Sequence, residues 1–119
     1  MVMVNYAIRI NGISSIALTK VDVLSGLNEV KVCTAYKHNG DELTSFPANM
    51  RILAECQPVY ESLKGWDEFP KEDWYAFLKK GYDSLPENLR GYITYIEHAA
   101  NTPVGLLSFG PERALTIER

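Results

Sequence analysis

Apolar and polar residues recur along this chain with two different spacings, and each spacing predicts one kind of secondary structure. Residues 2–11 are predicted to form a helix that ends at Asn11-Gly12, a sequence typical of helix C-termini. The apolar runs Ile13–Leu18 and Val104–Leu107 are short and bounded by polar residues, which favours buried, parallel strands. After the first of these runs, Val23–Asn28 is predicted to be a loop or a short helical turn.

A β-hairpin is predicted at residues 29–47. From Val30 to Lys37, β-branched and aromatic residues occupy every second position. This period of two is typical of a strand with two distinct faces. Asn39-Gly40 then supplies two residues that tolerate positive φ, a strong hairpin signal, and Glu42–Phe46 is the predicted returning strand. Gln57–Leu63 alternates in the same way and is a candidate third strand, whereas the remainder of residues 48–65 has no clear period.

Two more helices are predicted in the second half of the chain. Pro70–Lys80 has acidic residues near its N-terminus and lysines near its C-terminus, and Gly81 ends it. Residues 84–101 begin with Ser84-Leu85-Pro86-Glu87, the spacing of a capping box. Apolar residues then recur every three or four positions and predict one buried stripe: Leu89, Tyr92, Ile93, Ile96, Ala99 and Ala100. Leu115–Ile117 is predicted to be a final short strand.

The order of these elements is helix, strand, hairpin, helix, strand, which predicts an α/β fold. In open α/β sheets, ligands bind beyond the carboxyl ends of the strands. The loops that follow the two apolar strands, Thr19–Asp22 and Ser108–Pro111, are therefore expected to meet at one edge of the sheet.

Composition and charge restrict the class of protein. The chain has 119 residues, 46% of them hydrophobic, which suits one domain with a modest core. A net charge of −3 without a basic stripe argues against a nucleic-acid partner. No apolar stretch approaches the ~20 residues that span a bilayer, and the N-terminus has no signal-peptide pattern, so we expect a cytoplasmic protein without a membrane partner. Cys33 and Cys56 are far apart in sequence and are interpreted as reduced, packed thiols.

Asp22 has the chemistry to recognise guanine. A carboxylate at the end of a strand can accept hydrogen bonds from both N1–H and the 2-amine of guanine, whereas adenine would leave it unpaired. Lys20 can lay its methylene stem along a flat base and keep its ammonium at the polar rim. The alternative for both residues is an ordinary turn, in which Asp22 caps a helix and Lys20 is solvated.

Other polar and aromatic residues give weaker signals. The only GxxxxG spacing, Gly105 to Gly110, is followed by Pro111-Glu112 rather than by the Lys-Ser or Lys-Thr of a phosphate-binding loop. His38 and His98 have no ligand-spaced carboxylate or cysteine and are poor catalytic candidates. The region of Trp66 and Trp74 is interpreted as core rather than as a ligand platform.

An ordered set of sequence blocks extends over nearly the whole chain. It begins with Leu18-Thr19-Lys20-Val21-Asp22-Val23-Leu24-Ser25-Gly26-Leu27 and continues through Glu29–Lys37. It resumes in the second half of the chain with these blocks: Pro58–Glu61, Gly65-Trp66, Leu85–Asn88, Tyr92-Ile93, Thr102–Val104 and Ser108–Arg113. In this order the blocks resemble the C-terminal part of adenylosuccinate synthetases.

The resemblance implies a fold and a set of site residues. Residues 1–119 would form a single C-terminal lobe of a larger, mainly parallel sheet with a β-hairpin insertion. Residues implied to bind the guanine of GTP are Lys20, Val21, Asp22, Ser108, Phe109 and Gly110, with Pro111 flanking the face of the base. Phe109 departs from the smaller residue expected at its position. The alternative for residues 108–111 is a simple strand end and turn.

The resemblance also implies a reaction. The family's complete enzyme forms adenylosuccinate from IMP and L-aspartate with GTP hydrolysis, assisted by Mg²⁺. Its N-terminal phosphate loop and its catalytic aspartate and histidine have no counterpart here. No catalytic residue or Mg²⁺ ligand is therefore assigned to this chain, which is expected to be inactive alone.

The expected partners follow from the same resemblance. They are GTP and, through the N-terminal part that has no counterpart here, IMP and L-aspartate; a homo-oligomer is also expected. A different class of function also fits the residues: a small, non-catalytic α/β binding or interaction module.

Overall fold

Two three-stranded β-sheets and four α-helices organise the chain, which the computed structural model describes from Met1 to Arg119. The helices are α1 Val2–Asn11, α2 Met50–Glu55, α3 Lys71–Lys80 and α4 Glu87–Ala100. The strands are β1 Ile16–Leu18, β2 Glu29–His38, β3 Asp41–Leu43, β4 Gln57–Lys64, β5 Val104–Ser108 and β6 Thr116–Glu118. Short 3₁₀ helices occupy Val21–Leu24, Tyr82–Ser84 and Arg113–Leu115. None of the helices is long and apolar enough to cross a membrane.

The first sheet has the order β1-β5-β6 and confirms the α/β prediction. β1 and β5 are parallel, with Ile16 opposite Val104, and β6 pairs antiparallel with β5. The first strand is shorter than predicted, and the prediction that it is buried was wrong. Ile13 lies outside the strand. Ala17 is exposed, because β1 is an edge strand that pairs only with β5.

The second sheet has the order β3-β2-β4 and is entirely antiparallel. The predicted turn is confirmed, since Asn39 and Gly40 have φ values of 51° and 92°. The returning strand ends at Leu43 rather than at the predicted Phe46. Helix α2, which follows it, was not predicted. α2 has only six residues and buries none of them, so no apolar stripe marks it in the sequence. The third strand is confirmed as β4.

The capping box predicted at the start of α4 does not form. The Ser84 hydroxyl instead donates to the carbonyls of Phe77 and Gly81, at 2.7 and 2.8 Å. It thereby bridges the end of α3 and the turn that follows, where both carbonyls also accept backbone N–H groups, and α4 begins at Glu87 with no side-chain cap. The predicted apolar stripe is present, because Leu89, Ile93, Ile96 and Ala100 are all buried.

One hydrophobic cluster joins the two sheets through α4. It contains Val30 and Val32 of β2, Leu89, Ile93 and Ile96 of α4, and Val104 and Leu107 of β5. Trp66 and Trp74 belong to the same cluster, each only 4% exposed, as the sequence predicted. Both sheets therefore share one core, and the loops that follow β1 and β5 are anchored in it through Val21 and Phe109.

The chain passes very close to itself at Gly65. A β-carbon at this position would lie 1.7 Å from the Leu27 carbonyl oxygen, so only glycine fits. The Gly65 amide donates to the Asn28 carbonyl at 2.9 Å, and the Trp66 indole N–H donates to the Ser25 hydroxyl at 3.1 Å. These contacts fix the segment that follows the first loop.

Candidate functional site

The loop after β1 makes a tight turn into a 3₁₀ helix. Lys20 has a left-handed backbone, with φ 56° and ψ 39°, and precedes the turn that begins at Val21. The Val21 side chain is 2% exposed and belongs to the core. The Ser25 amide donates to the Asp22 carbonyl at 3.0 Å. A buried valine therefore anchors the turn, and its neighbour Asp22 is held in a defined place.

Asp22 has a buried acceptor that the protein leaves unused. Its Oδ1 atom is inaccessible to solvent and has no hydrogen-bond partner, and it is the only buried side-chain nitrogen or oxygen of the chain in this condition. Leaving a buried polar atom unpaired costs about 1–3 kcal/mol, so such atoms are uncommon in folded proteins. A ligand that brings an N–H donor to this atom would remove that cost.

The loop after β5 is closed by its own hydrogen bonds. The Phe109 amide donates to the Leu115 carbonyl at 2.9 Å, and the Ser108 hydroxyl donates to the Gly110 carbonyl at 2.9 Å. A β-carbon on Gly110 would lie 2.7 Å from Cδ1 of Leu115, so a side chain there would displace the buried leucine. Glycine at this position lets the loop fold back on itself.

The two loops share one cleft, with a volume of about 360 Å³. Four of the seven residues selected from the sequence line it: Asp22, Phe109, Gly110 and Pro111. The other three do not. Lys20 is exposed outside the cleft, Val21 is in the core, and the Ser108 hydroxyl is used within its own turn. The cleft therefore contains the carboxylate of one loop and the glycine turn of the other.

Six lining residues were not selected from the sequence: Ser25, Glu68, Phe69, Lys71, Trp74 and Leu115. The largest of them is Trp74, whose ring stacks on Phe109 with centroids 4.8 Å apart and an interplanar angle of 25°. Phe69 meets Trp74 edge-on at 5.5 Å. The apolar face of α3 was visible in the sequence, but nothing in its spacing indicated that it would pack on Phe109.

A polar cluster at the rim ties α3 to the second loop. Both Lys71 and Tyr75 donate hydrogen bonds to the Glu112 carboxylate. These two hydrogen bonds hold the pKa of Glu112 below its ordinary value. The bond to Glu112 raises the pKa of Lys71 and also that of Tyr75. The cluster is exposed, so it orients the rim more than it stabilises the fold.

The cleft combines charged and aromatic side chains. It contains two carboxylates, Asp22 and Glu68, and one lysine, but neither of the chain's histidines nor either cysteine. His38 is bonded instead to Glu55 at 3.0 Å, and His98 is exposed on α4. Cys33 and Cys56 are free thiols. No group of three or more acidic, histidine or cysteine side chains is placed to hold a metal ion.

The fold and the cleft define a class of protein. Two parallel strands end in loops that enclose a cleft, and Asp22, which has one buried carboxylate oxygen without a partner, is among the residues that line it. This is the architecture of an α/β protein, in which ligands bind beyond the carboxyl edge of the sheet.

Comparison with known proteins identifies the family. The family model of adenylosuccinate synthetase matches residues 1–117, so the chain belongs to the adenylosuccinate synthetase family, a ligase family of purine biosynthesis. This confirms the resemblance seen in the sequence. The adenylosuccinate synthetase of Brevibacillus brevis is 44% identical over 116 residues, which are 98% of this chain and 26% of the relative. That of Caldicellulosiruptor bescii is 47% identical over 113 residues, 95% of this chain and 25% of the relative.

The same fold occurs in a solved structure. The fully ligated adenylosuccinate synthetase of Plasmodium falciparum is similar with a TM-score of 0.82 and 39% identity. The similarity covers 97% of this chain and 27% of that one. The chain thus spans about a quarter of the length of the relatives it matches.

Proposed function

We propose that this chain forms the guanine-recognition part of the GTP site of an adenylosuccinate synthetase. The reaction of that enzyme would be the formation of adenylosuccinate from IMP and L-aspartate with GTP hydrolysis. The observation that carries the proposal is Asp22, a residue of the cleft whose Oδ1 atom is buried and has no hydrogen-bond partner. Family membership supports the same role.

Guanine has the complementary pattern of hydrogen-bonding groups. Its N1–H and 2-amine are adjacent donors, and a carboxylate can accept from both. Adenine has an acceptor at N1, which would leave the Asp22 oxygen buried and unpaired. The Gly110 amide has no backbone acceptor within the chain, so it is available for the 6-oxygen of the base. Pro111 is exposed at the mouth, where it can flank the base, and Phe109 forms the floor.

Three further residues that the resemblance implies, Lys20, Val21 and Ser108, would contribute without lining the cleft. Lys20 would cover the rim of the bound base from its exposed position, and Val21 would act through its backbone and its anchor in the core. Ser108 would shape the loop through its bond to Gly110.

Phosphoryl transfer would require residues outside this chain. The cleft offers two carboxylates, which repel a triphosphate, and the chain has no phosphate-binding loop. Mg²⁺ would act with the phosphates of GTP, and we propose that its protein ligands lie in the part of the enzyme that this chain does not span. IMP and L-aspartate would bind there as well. We further propose that the assembled enzyme is cytoplasmic and homo-oligomeric, and that this chain alone makes no adenylosuccinate.

Nucleotide titrations of the full chain, followed by NMR of its backbone amides, test guanine recognition. GTP is expected to shift the amides of Asp22 and Gly110, and an equal concentration of ATP is expected to leave them unchanged. Asp41→Ala, a change at the exposed start of β3, is a control for changes in charge away from the cleft and should retain the GTP response. Identical shifts with the two nucleotides, or none with either, would contradict guanine recognition and favour the non-catalytic interaction module.

A further inference from the structure

One side of α3 is fastened to the loop after β5 at two places. Trp74 stacks on Phe109, and the side chains of Lys71 and Tyr75 both donate hydrogen bonds to the Glu112 carboxylate. Trp74 and Tyr75 follow Lys71 by three and four positions, so the three side chains lie on the same side of the helix. The helix therefore contacts the loop at one buried point and at one exposed point.

These two contacts bracket the part of the loop that belongs to the cleft. Phe109 and Glu112 are separated only by Gly110 and Pro111, which both line the cleft. The Ser108 hydroxyl holds the Gly110 carbonyl, but the Gly110 amide has no acceptor within the chain, and proline has no N–H to donate. The direction of the Gly110 amide therefore depends on the fixed residues on either side of it.

The exposed contact is a network of three side chains rather than a single ion pair. Glu112 accepts from Lys71 through Oε1 and from Tyr75 through Oε2, so both of its oxygens are used. The Lys71 ammonium also lies 5.7 Å from the centroid of the Tyr75 ring. Lys71 and Glu112 are 51% and 47% exposed, so the network contributes little to the free energy of unfolding. Its effect is to fix where Glu112, and with it the end of the loop, is placed.

The resemblance to the family assigns no role to α3. The helix lies between the blocks Gly65-Trp66 and Leu85–Asn88, outside both. Phe109, on which Trp74 stacks, is itself larger than the residue expected at its position. The chain thus combines a large residue in the floor of the cleft with a helix that covers it, and both rings are buried.

We propose that Lys71 and Tyr75 are positioning residues for guanine binding. Through Glu112 they hold the Gly110 amide and Pro111 in the arrangement that receives the base, and neither residue needs to touch the base. This role rests on the proposed recognition of guanine in the cleft. A segment that is already ordered binds more tightly, because less conformational entropy is lost when the ligand arrives.

The double variant Lys71→Met/Tyr75→Phe tests the role, because it removes both donors and keeps an unbranched side chain and an aromatic ring. In the ligand-free full chain, the NMR order parameter of the Gly110 amide is expected to fall from about 0.85, typical of rigid backbone, to below about 0.6. The affinity for GTP should fall about tenfold, which corresponds to the ordering of roughly one backbone residue. The midpoint of urea unfolding should stay unchanged, because the network is exposed.

Two further variants separate this role from a general effect on the helix. Lys80→Met removes an exposed lysine from the last turn of α3 and should keep the wild-type order parameter and GTP affinity. Lys71→Glu places two carboxylates together and should loosen the loop. The exchange Lys71→Glu/Glu112→Lys restores an ion pair of reversed polarity, so the order parameter of Gly110 should recover.

Three results would overturn the positioning role. They are an unchanged order parameter in Lys71→Met/Tyr75→Phe, a charge exchange that recovers nothing, and a GTP affinity that this double variant leaves at the wild-type value. The order parameter is measured without nucleotide. If the wild-type chain binds no GTP, guanine recognition fails, and the ligand-free measurement still decides whether Lys71 and Tyr75 hold the loop.

Discussion

The Trp74 indole lies parallel to the Phe109 ring at 4.8 Å, so the helix that walls the cleft is packed on the residue that floors it. Both rings are almost fully buried, at 4% and 2% exposure. The loop that carries Gly110 therefore cannot move without disturbing the packing of α3 on Phe109.

Trp74→Ala is expected to destabilise the protein by about 3–5 kcal/mol, because it leaves a large cavity beneath the cleft. Phe109→Ala should cost a comparable amount. In a double-mutant cycle the two losses should couple by about 0.5–1.5 kcal/mol through the stacked pair. Urea unfolding measures each value. Tyr60→Ala is the control, because that side chain is 56% exposed, and it should change stability by less than about 0.5 kcal/mol.

Asp22→Ala should separate stability from nucleotide preference. Removing a charged hydrogen-bond partner is expected to weaken GTP binding by about 1–3 kcal/mol. ITP lacks the 2-amine, so its binding affinity should fall less than that of GTP when Asp22 is replaced. The same change removes an unpaired buried oxygen, so the ligand-free protein should be at least as stable as wild type. Calorimetry gives both quantities. Equal losses for GTP and ITP, or no loss, would argue against a two-point contact.

Gly65→Ala should prevent normal folding, because its β-carbon would overlap the Leu27 carbonyl oxygen at 1.7 Å. The obstacle is backbone, which cannot rotate away as a side chain could. Gly91→Ala is the matched control: it lies inside α4 with open space around it, and alanine favours helices. That change should stabilise the protein by about 0.5–1 kcal/mol. Thermal unfolding distinguishes the two, and a normal melt for Gly65→Ala would contradict the close approach.

Glu61→Gln should change the titration of Tyr95. The Tyr95 hydroxyl donates to the Glu61 carboxylate at 2.6 Å, and this bond raises the pKa of Tyr95 from 10.0 to about 12. The folded-state pKa is higher than the unfolded one, so the bond contributes stability below pH 10 that is lost as the pH rises towards 12. Glu61→Gln should lower the Tyr95 pKa and reduce this loss. Tyrosinate absorbance against pH measures the shift; Glu42→Gln, in the hairpin, should leave it unchanged.

Local patterns predicted the regular elements better than they predicted contacts between elements. The Asn39-Gly40 turn and the stripe of α4 depend on neighbouring residues, and both are present in the structure. Ser84 shows the opposite case: its spacing from Glu87 suits a capping box, but its hydroxyl donates to the carbonyls of Phe77 and Gly81 at the end of α3 instead. The Trp74 wall and the rim bond of Lys71 to Glu112 were not predictable, because each joins residues far apart in sequence.

The parallel pairing of β1 with β5 has a consequence for the order of folding. Ile16 pairs with Val104 across a long stretch of the sequence, whereas the antiparallel strands β2, β3 and β4 are close together. Loop closure over such a distance delays contact formation, so the β3-β2-β4 sheet can form before the parallel pair does. The loop that carries Asp22 would then meet the loop after β5 late, and the Asp22 oxygen would lose its water at that step.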